Sequence, residues 1–263
     1  MEFFDSHCHL DDERFDEDRQ KLIEDIKKAN ITKLISAGYS IEGSKKGIEL
    51  SKKYDDIYTT CGISPNDIPQ SEEELWKDIE TIRDFVKENI KDNKIVAIGE
   101  IGLDYYWEKD LQRRELQKQA FIKQIEMANT FHLPIVIHTR EAVMDTIEIL
   151  KKNSVDKKGV FHCCPFNREL VKEALKLGYY ISFAGPVTFK NAKNANEIIE
   201  MVPNEKILIE TDSPYLAPEP VRGTRNDPRN VTYIAQKIAD VKNKTIEEMA
   251  KITYLNALRI FNI

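Results

Sequence analysis

Long apolar runs are missing from this sequence. No stretch approaches the ~20 apolar residues of a membrane-spanning helix, so no membrane association is expected. The opening residues, Met1-Glu2-Phe3-Phe4-Asp5, lack the basic start and extended apolar block of a secretory leader. Cysteine is scarce. Cys8, Cys61, Cys163 and Cys164 form no CxxC pair and no paired framework, which argues against a thiolate zinc site and for a reducing, cytoplasmic setting. There is no surplus of positive charge either. The formal net charge is −6, which argues against a large sequence-independent nucleic-acid surface. It leaves room for a small phosphate site where bound cations supply the charge locally. No linker, low-complexity block or internal repeat is found, no coiled-coil seam is visible, and no GxGxxG follows the first apolar run. Nothing points to an obligate protein partner, and a monomer is the default.

What is present is a regular alternation. The 263 residues, 41% of them hydrophobic, suit one α/β barrel or two small domains. Apolar, β-rich runs lie at Glu2 to His9, Lys33 to Gly38, Ile57 to Gly62, Lys94 to Glu100, Pro134 to His138, Val160 to Cys163, Tyr179 to Phe183 and Lys206 to Asp212. They are nearly continuously apolar, as strands buried on both faces of a parallel sheet are. Between them apolar residues recur at helical spacing: Leu22, Ile23 and Ile26; Trp76, Ile79, Ile82, Phe85 and Val86; Leu116, Ala120, Ile125 and Ala128. The pattern predicts a single (β/α)8 TIM barrel over residues 1–263, with an open doubly wound sheet as the alternative. The longest irregular piece, Asp212 to Asn230, follows the last predicted strand and so falls at the active face of a barrel.

The chemistry-bearing residues cluster at strand ends. His7 and His9 end the first strand, two apart and therefore facing the same way, with Cys8 turned to the other side as a buried apolar residue. Glu100 ends the fourth, His138 the fifth, His162 lies near the end of the sixth, and Asp212 ends the eighth. Four of the five histidines thus sit where barrel enzymes place their active sites. The fifth, His132, precedes Pro134 and reads as structural. Six such groups at a barrel mouth are costly to desolvate unless they bind something. Four imidazoles and two carboxylates exceed what one tetrahedral ion with an open position needs. Glu100 can bridge two divalent cations roughly 3.5–4 Å apart. One cation would take His7, His9 and Asp212 with Glu100, the other His138 and His162 with Glu100. Asp212 is placed to accept a proton from a metal-activated water or to orient it.

These motifs resemble the TatD family of metal-dependent deoxyribonucleases, within the wider amidohydrolase-like barrels. The matching pieces are Asp5-Ser6-His7-Cys8-His9-Leu10-Asp11, Gly99-Glu100-Ile101-Gly102-Leu103-Asp104-Tyr105, Pro134-Ile135-Val136-Ile137-His138-Thr139-Arg140, Thr188-Phe189-Lys190-Asn191-Ala192 and Glu210-Thr211-Asp212-Ser213-Pro214-Tyr215-Leu216. They run in the family's order and span most of the chain. The resemblance implies a (β/α)8 barrel with a divalent-metal hydrolase site, the six residues above as metal ligands, and phosphodiester hydrolysis in DNA, often exonucleolytic and magnesium-supported. Four imidazoles suit zinc, manganese or iron better than magnesium, so the metal stays open, with magnesium, manganese and zinc as the candidates. Two departures stand out. The family tends to read Cys-Phe-Ser-Gly after the sixth-strand histidine, where this chain reads Cys163-Cys164-Pro165-Phe166-Asn167. It often has Lys and Glu where Thr224 and Asp227 stand here.

Around the ligands, Arg140 and Arg225 are candidate substrate-binding cations. Arg140 competes with a salt-bridge role, and Arg222 reads as a loop brace. Lys190-Asn191 can meet a phosphate, or Asn191 can cap the next helix. Asp104 is expected to orient a ligand or a loop. Tyr105, Tyr106 and Trp107 can stack on a base or pack in the core. Cys164 is a candidate extra soft ligand. The sequence therefore reads as a cytoplasmic metal-dependent hydrolase acting on DNA, with Asp212 and Glu100 as the catalytic carboxylates. The alternatives are an ester or amide hydrolase on the same barrel, for example on aminoacyl-tRNA, and a non-enzymatic metal-binding scaffold.

Overall fold

A computed structural model describes residues 1–263. Its eight strands are β1 (Phe3–Cys8), β2 (Ile31–Ser36), β3 (Ile57–Cys61), β4 (Ile95–Asp104), β5 (Ile135–Arg140), β6 (Gly159–Phe161), β7 (Tyr180–Phe183) and β8 (Ile207–Ile209). They pair in parallel in the order β1-β2-β3-β4-β5-β6-β7-β8. Helices follow the strands as crossovers: α1 (Arg19–Lys28), α2 (Ile41–Lys53), α3 (Glu72–Asn89), α4 (Leu111–Phe131), α5 (Val143–Lys152), α6 (Arg168–Lys176), α7 (Ala195–Met201) and α8 (Val231–Val241), with α9 (Ile246–Phe261) last. This is the (β/α)8 barrel. No helix is long and apolar enough to cross a membrane.

Phe4, Ile35, Val96, Val136, Val160, Tyr180 and Leu208 meet in one apolar cluster. They come from seven strands, and residues on opposite strands touch only across the inside of a closed sheet. The end of α9 adds Ala257, Ile260 and Phe261 to that cluster, so the C-terminal helix stops the end of the barrel away from the strand C-termini. The outer strand faces pack against the helices in a second, larger cluster. Five of the nine helices start where side chains cap them. Ser40, Ser71, Asp110 and Asn167 each accept from a backbone N–H three residues on, and Thr245 and Glu248 cap α9 reciprocally.

The ring is joined between β8 and β1 without a regular ladder. Above β8 the chain continues extended, and the Asp212 N–H donates to the His7 carbonyl (2.9 Å) while the His9 N–H donates to the Ser213 carbonyl (2.7 Å). Side chains do the rest. Ser6 Oγ donates to the Ile209 carbonyl (2.8 Å), and the buried Asp5 carboxylate accepts the Thr211 N–H (2.9 Å) and the Thr211 hydroxyl.

Two expectations are corrected and one is met. β4 does not stop at Glu100. It continues through Ile101↔Ile137, Gly102↔His138, Leu103↔Thr139 and Asp104↔Arg140, because the apolar alternation resumes after Glu100 and the glycines that resemble a break are needed for close strand approach. A Cβ on Gly102, whose φ is +141°, would lie 2.0 Å from the His138 carbonyl oxygen. Asn191 does not cap a helix: α7 begins at Ala195, with Asn194 in the cap position. His132 takes a left-handed conformation (φ 54°) as the C-cap of α4, the structural role expected of it.

Candidate metal centre

Strict alternation from Phe4, which points into the barrel, would turn His7 outward. The pairing of β1 with β2 is irregular between Asp5 and Cys8, and this irregularity brings His7 and His9 inward together. A second irregularity, in the β4–β5 pairing between Ile98 and Ile101, lies at Glu100. His138 stands on β5, His162 one residue past β6, and Asp212 just beyond β8. All six residues converge.

Glu100 is the hub. Its Oε2 lies 3.3 Å from His7 Nε2 and 3.9 Å from His9 Nε2. Its Oε1 lies 3.0 Å from His138 Nδ1 and 3.4 Å from His162 Nε2. Asp212 Oδ1 completes the first side at 3.3 Å from His9 Nε2 and 3.7 Å from His7 Nε2. Ligand atoms of His7, His9 and Glu100 fall within 4.8 Å of one another, as do those of Glu100, His138 and His162 and those of His7, His162 and Asp212. His7 and His162 stack with centroids 4.1 Å apart. Both ring nitrogens of the buried His7 lack a hydrogen-bond partner. An orphaned, buried nitrogen aimed at two carboxylates is the mark of a donor meant for a cation, and the imidazole–carboxylate donor set fits a divalent metal.

Electrostatics agree. Burial, together with the neighbouring His162, holds the pKa of His7 below its ordinary value, which keeps its imidazole neutral. Burial opposes charge on His9, yet Asp212 and Glu100 outweigh it and carry His9 up to about 9. His162 rises well above the ordinary histidine range, again against burial, through Glu100 and Glu210. The surrounding imidazoles pull Glu100 well below the usual carboxylate range despite its burial, and Asp212 is lowered in the same way. In the absence of a cation, protons on imidazoles balance the two carboxylates.

A cavity of about 620 Å³ opens onto the cluster, lined by His9, Glu100, His138, His162 and Asp212 with Tyr39, Asn66, Asp67, Arg140 and Tyr215 among others. Tyr39 and Tyr215 stand edge-on to His9. Arg140 has no salt-bridge partner; its guanidinium lies 3.8 Å from the centroid of the Tyr106 ring. Arg225 is not at the cavity. It grips Asp18 with both terminal nitrogens (2.9 and 2.6 Å) and also donates to the Arg14 carbonyl, which replaces the expected substrate contact with a brace between two loops. Arg222 lies over Phe189 (4.0 Å), the bracing role expected of it. Cys164 is buried in the core with its thiol toward the Pro165 carbonyl; the thiol beside the cavity belongs to Cys163, and burial pushes its pKa far up, so it stays protonated.

Asp104 contacts both His138 and the loop that follows β4. Its Oδ2 lies 3.0 Å from His138 Nε2, and its Oδ1 accepts the Tyr106 and Trp107 N–H groups. Glu210 was not singled out by the sequence. It is fully buried, with Oε1 3.3 Å from His162 Nδ1 and accepting the Cys163 N–H at 2.7 Å. The available signal was a carboxylate inside an apolar strand run, which must have a partner. Asp5 carried the same signal.

A (β/α)8 barrel whose mouth gathers four imidazoles around two carboxylates defines a metal-dependent hydrolase. Sequence comparison agrees. A family model described as TatD related DNase matches residues 4–262. The uncharacterized metal-dependent hydrolase YabD of Bacillus subtilis is 41% identical over 262 residues, covering 99% of each chain. The uncharacterized metal-dependent hydrolase YcfH of Escherichia coli K12 is 35% identical over 100% of this chain and 97% of its own. The crystal structure of YJJV, a TatD homolog from Escherichia coli K12, superimposes with a TM-score of 0.92 at 24% identity, covering 99% and 98% of the two chains, a likeness of fold. The chain belongs to the TatD family.

Proposed function

We propose that this hydrolase cleaves phosphodiester bonds in DNA exonucleolytically, at a centre holding two divalent cations, with residues 1–263 acting as one catalytic unit. The observation that carries the reading is the division of Glu100: one oxygen faces His7 and His9, the other His138 and His162. The family's description as DNases supports the choice of bond. Arg140 supports an anionic substrate, being the sole Arg or Lys on the cavity wall and having no carboxylate partner.

Cations held there would act as Lewis acids on a phosphoryl oxygen and lower the pKa of a coordinated water. The protein does the rest. His7, His9 and Asp212 define one position with Glu100 Oε2, and His138 and His162 define the other with Glu100 Oε1. Asp212, kept ionised, receives the proton of the attacking water and fixes its direction of approach. Arg140 donates to a non-bridging phosphate oxygen and holds the phosphorus in line. The wall residues Tyr39 and Tyr215 confine the leaving strand.

The test is metal removal followed by addition of magnesium, manganese or zinc, with 5′-labelled single-stranded DNA and an aminoacyl ester assayed in parallel. A metal-dependent ladder of DNA products that disappears in Asp212→Asn and in Glu100→Ala, with both variants folded by circular dichroism, is the expected result. Ester cleavage with intact DNA would move the activity to carboxylic esters at the same centre. Full activity in a folded Asp212→Asn protein would remove Asp212 from the reaction.

A further inference from the structure

Just outside the cavity, on the loop that follows β4, two aromatic side chains face solvent. Trp107 is 66% exposed and Tyr106 is 40% exposed. Their neighbour Tyr105 is buried and donates to Asp145. The exposed pair meets edge to face at 4.7 Å, and the Arg140 guanidinium lies 3.8 Å from the Tyr106 centroid and 5.6 Å from that of Trp107. An exposed indole is common on mobile loops, but this loop is pinned. Asp104 Oδ1 accepts the N–H groups of both Tyr106 and Trp107 (3.0 and 3.1 Å), and Arg114 donates to the Glu108 carbonyl and to that of Tyr105. The other oxygen of the same Asp104 carboxylate holds His138. One side chain therefore fixes the aromatic pair relative to the centre.

We infer that Tyr106 and Trp107 form a stacking platform for an unpaired nucleobase flanking the scissile phosphate. The inference rests on the nucleic-acid reading above and adds a selection rule to it. Every base offers a π-face, so such a platform is indifferent to sequence. It does need a base that has left the double helix, which selects single-stranded ends. Charge fits this occupant. Arg140 bridges the platform and the cavity without a carboxylate to neutralise it. It can meet the phosphate while the indole meets the base one nucleotide away, the pairing of stacking with cationic contact that single-strand binders use. A substrate without a base, such as an aminoacyl or simple alkyl ester, gains nothing from the indole.

The experiment compares KM and kcat for a single-stranded oligodeoxynucleotide and for the same strand with an abasic residue next to the cleavage point. Wild type prefers the base-bearing strand by about tenfold in KM. That preference collapses toward unity in Trp107→Ala and returns in Trp107→Phe. Binding alone is read by indole fluorescence. The chain has two tryptophans, so Trp76→Phe leaves Trp107 as the reporter, and the base-bearing strand quenches it where the abasic strand does not. If Trp107→Ala keeps the tenfold preference, or if its losses on the two strands are equal, the platform is overturned while the nuclease reading stands. If wild type cleaves neither strand, the nucleic-acid reading fails and the platform with it.

Discussion

Two carboxylates that touch no cavity wall, Glu210 and Asp104, each hold one imidazole of the centre by the nitrogen turned away from it. Such partners fix ring orientation and tautomer, and their loss commonly weakens metal binding by about 10–100-fold. Glu210→Gln and Asp104→Asn are expected to show that loss in a metal titration, both on the side framed by His138 and His162. A second prediction follows from the protons in the metal-free centre. His9 titrates at about 9 in the folded chain against an ordinary 6.5. Its contribution to metal-free stability is therefore complete below pH 6.5 and is lost as pH rises through 9. Metal affinity runs the other way, because the cation must displace that proton. Melting of the chelated protein should fall between pH 6.5 and 9 while that of the loaded protein does not; parallel curves would contradict the coupling. The six convergent residues were legible in the sequence because imidazoles are few and fall at strand ends. Glu210 and Asp5 were not, because a lone acid within an apolar run carries no spacing signature and its partner is distant in sequence. Arg225 misled for the complementary reason: a cation in an active-face loop finds its acid, Asp18, across a gap that the sequence does not display.

At the scale of elements, the site depends on where strands depart from regularity. β1 and β4 carry irregular pairing at His7 and Glu100, and no apolar pattern announces it. The eight-strand alternation was readable because buried parallel strands are apolar throughout, whereas the end of β4 was obscured by Gly99 and Gly102. Gly102→Ala is expected to wedge β4 from β5 against the His138 carbonyl, lowering stability by about 1–3 kcal/mol and loosening the His138 side of the centre. Urea unfolding and metal stoichiometry check both parts. Asp5→Ala removes the acceptor of the Thr211 N–H and hydroxyl at the seam. A cost of about 2 kcal/mol is expected for the buried donors left behind, and a change below ~0.5 kcal/mol would mean that water or a neighbouring group replaces the carboxylate.

For the molecule as a whole, the centre ties together side chains from both ends of the chain, so cation binding and barrel integrity are linked. A cation at a hundred times its dissociation constant adds about 2.7 kcal/mol. For a chain of this length that is a rise in Tm of about 5 °C or more on adding manganese or zinc to chelated protein. The gain should vanish in Glu100→Ala.

The seam between β8 and β1 also imposes a timetable. Asp5 and Thr211, its clasp, are 206 residues apart, whereas Glu100, His138 and His162 come from three consecutive strands. On a ribosome the second group is complete while the partner of His7 and His9 is still unsynthesised. The side chains that Asp212 joins therefore meet only once the last strand of the ring is in place.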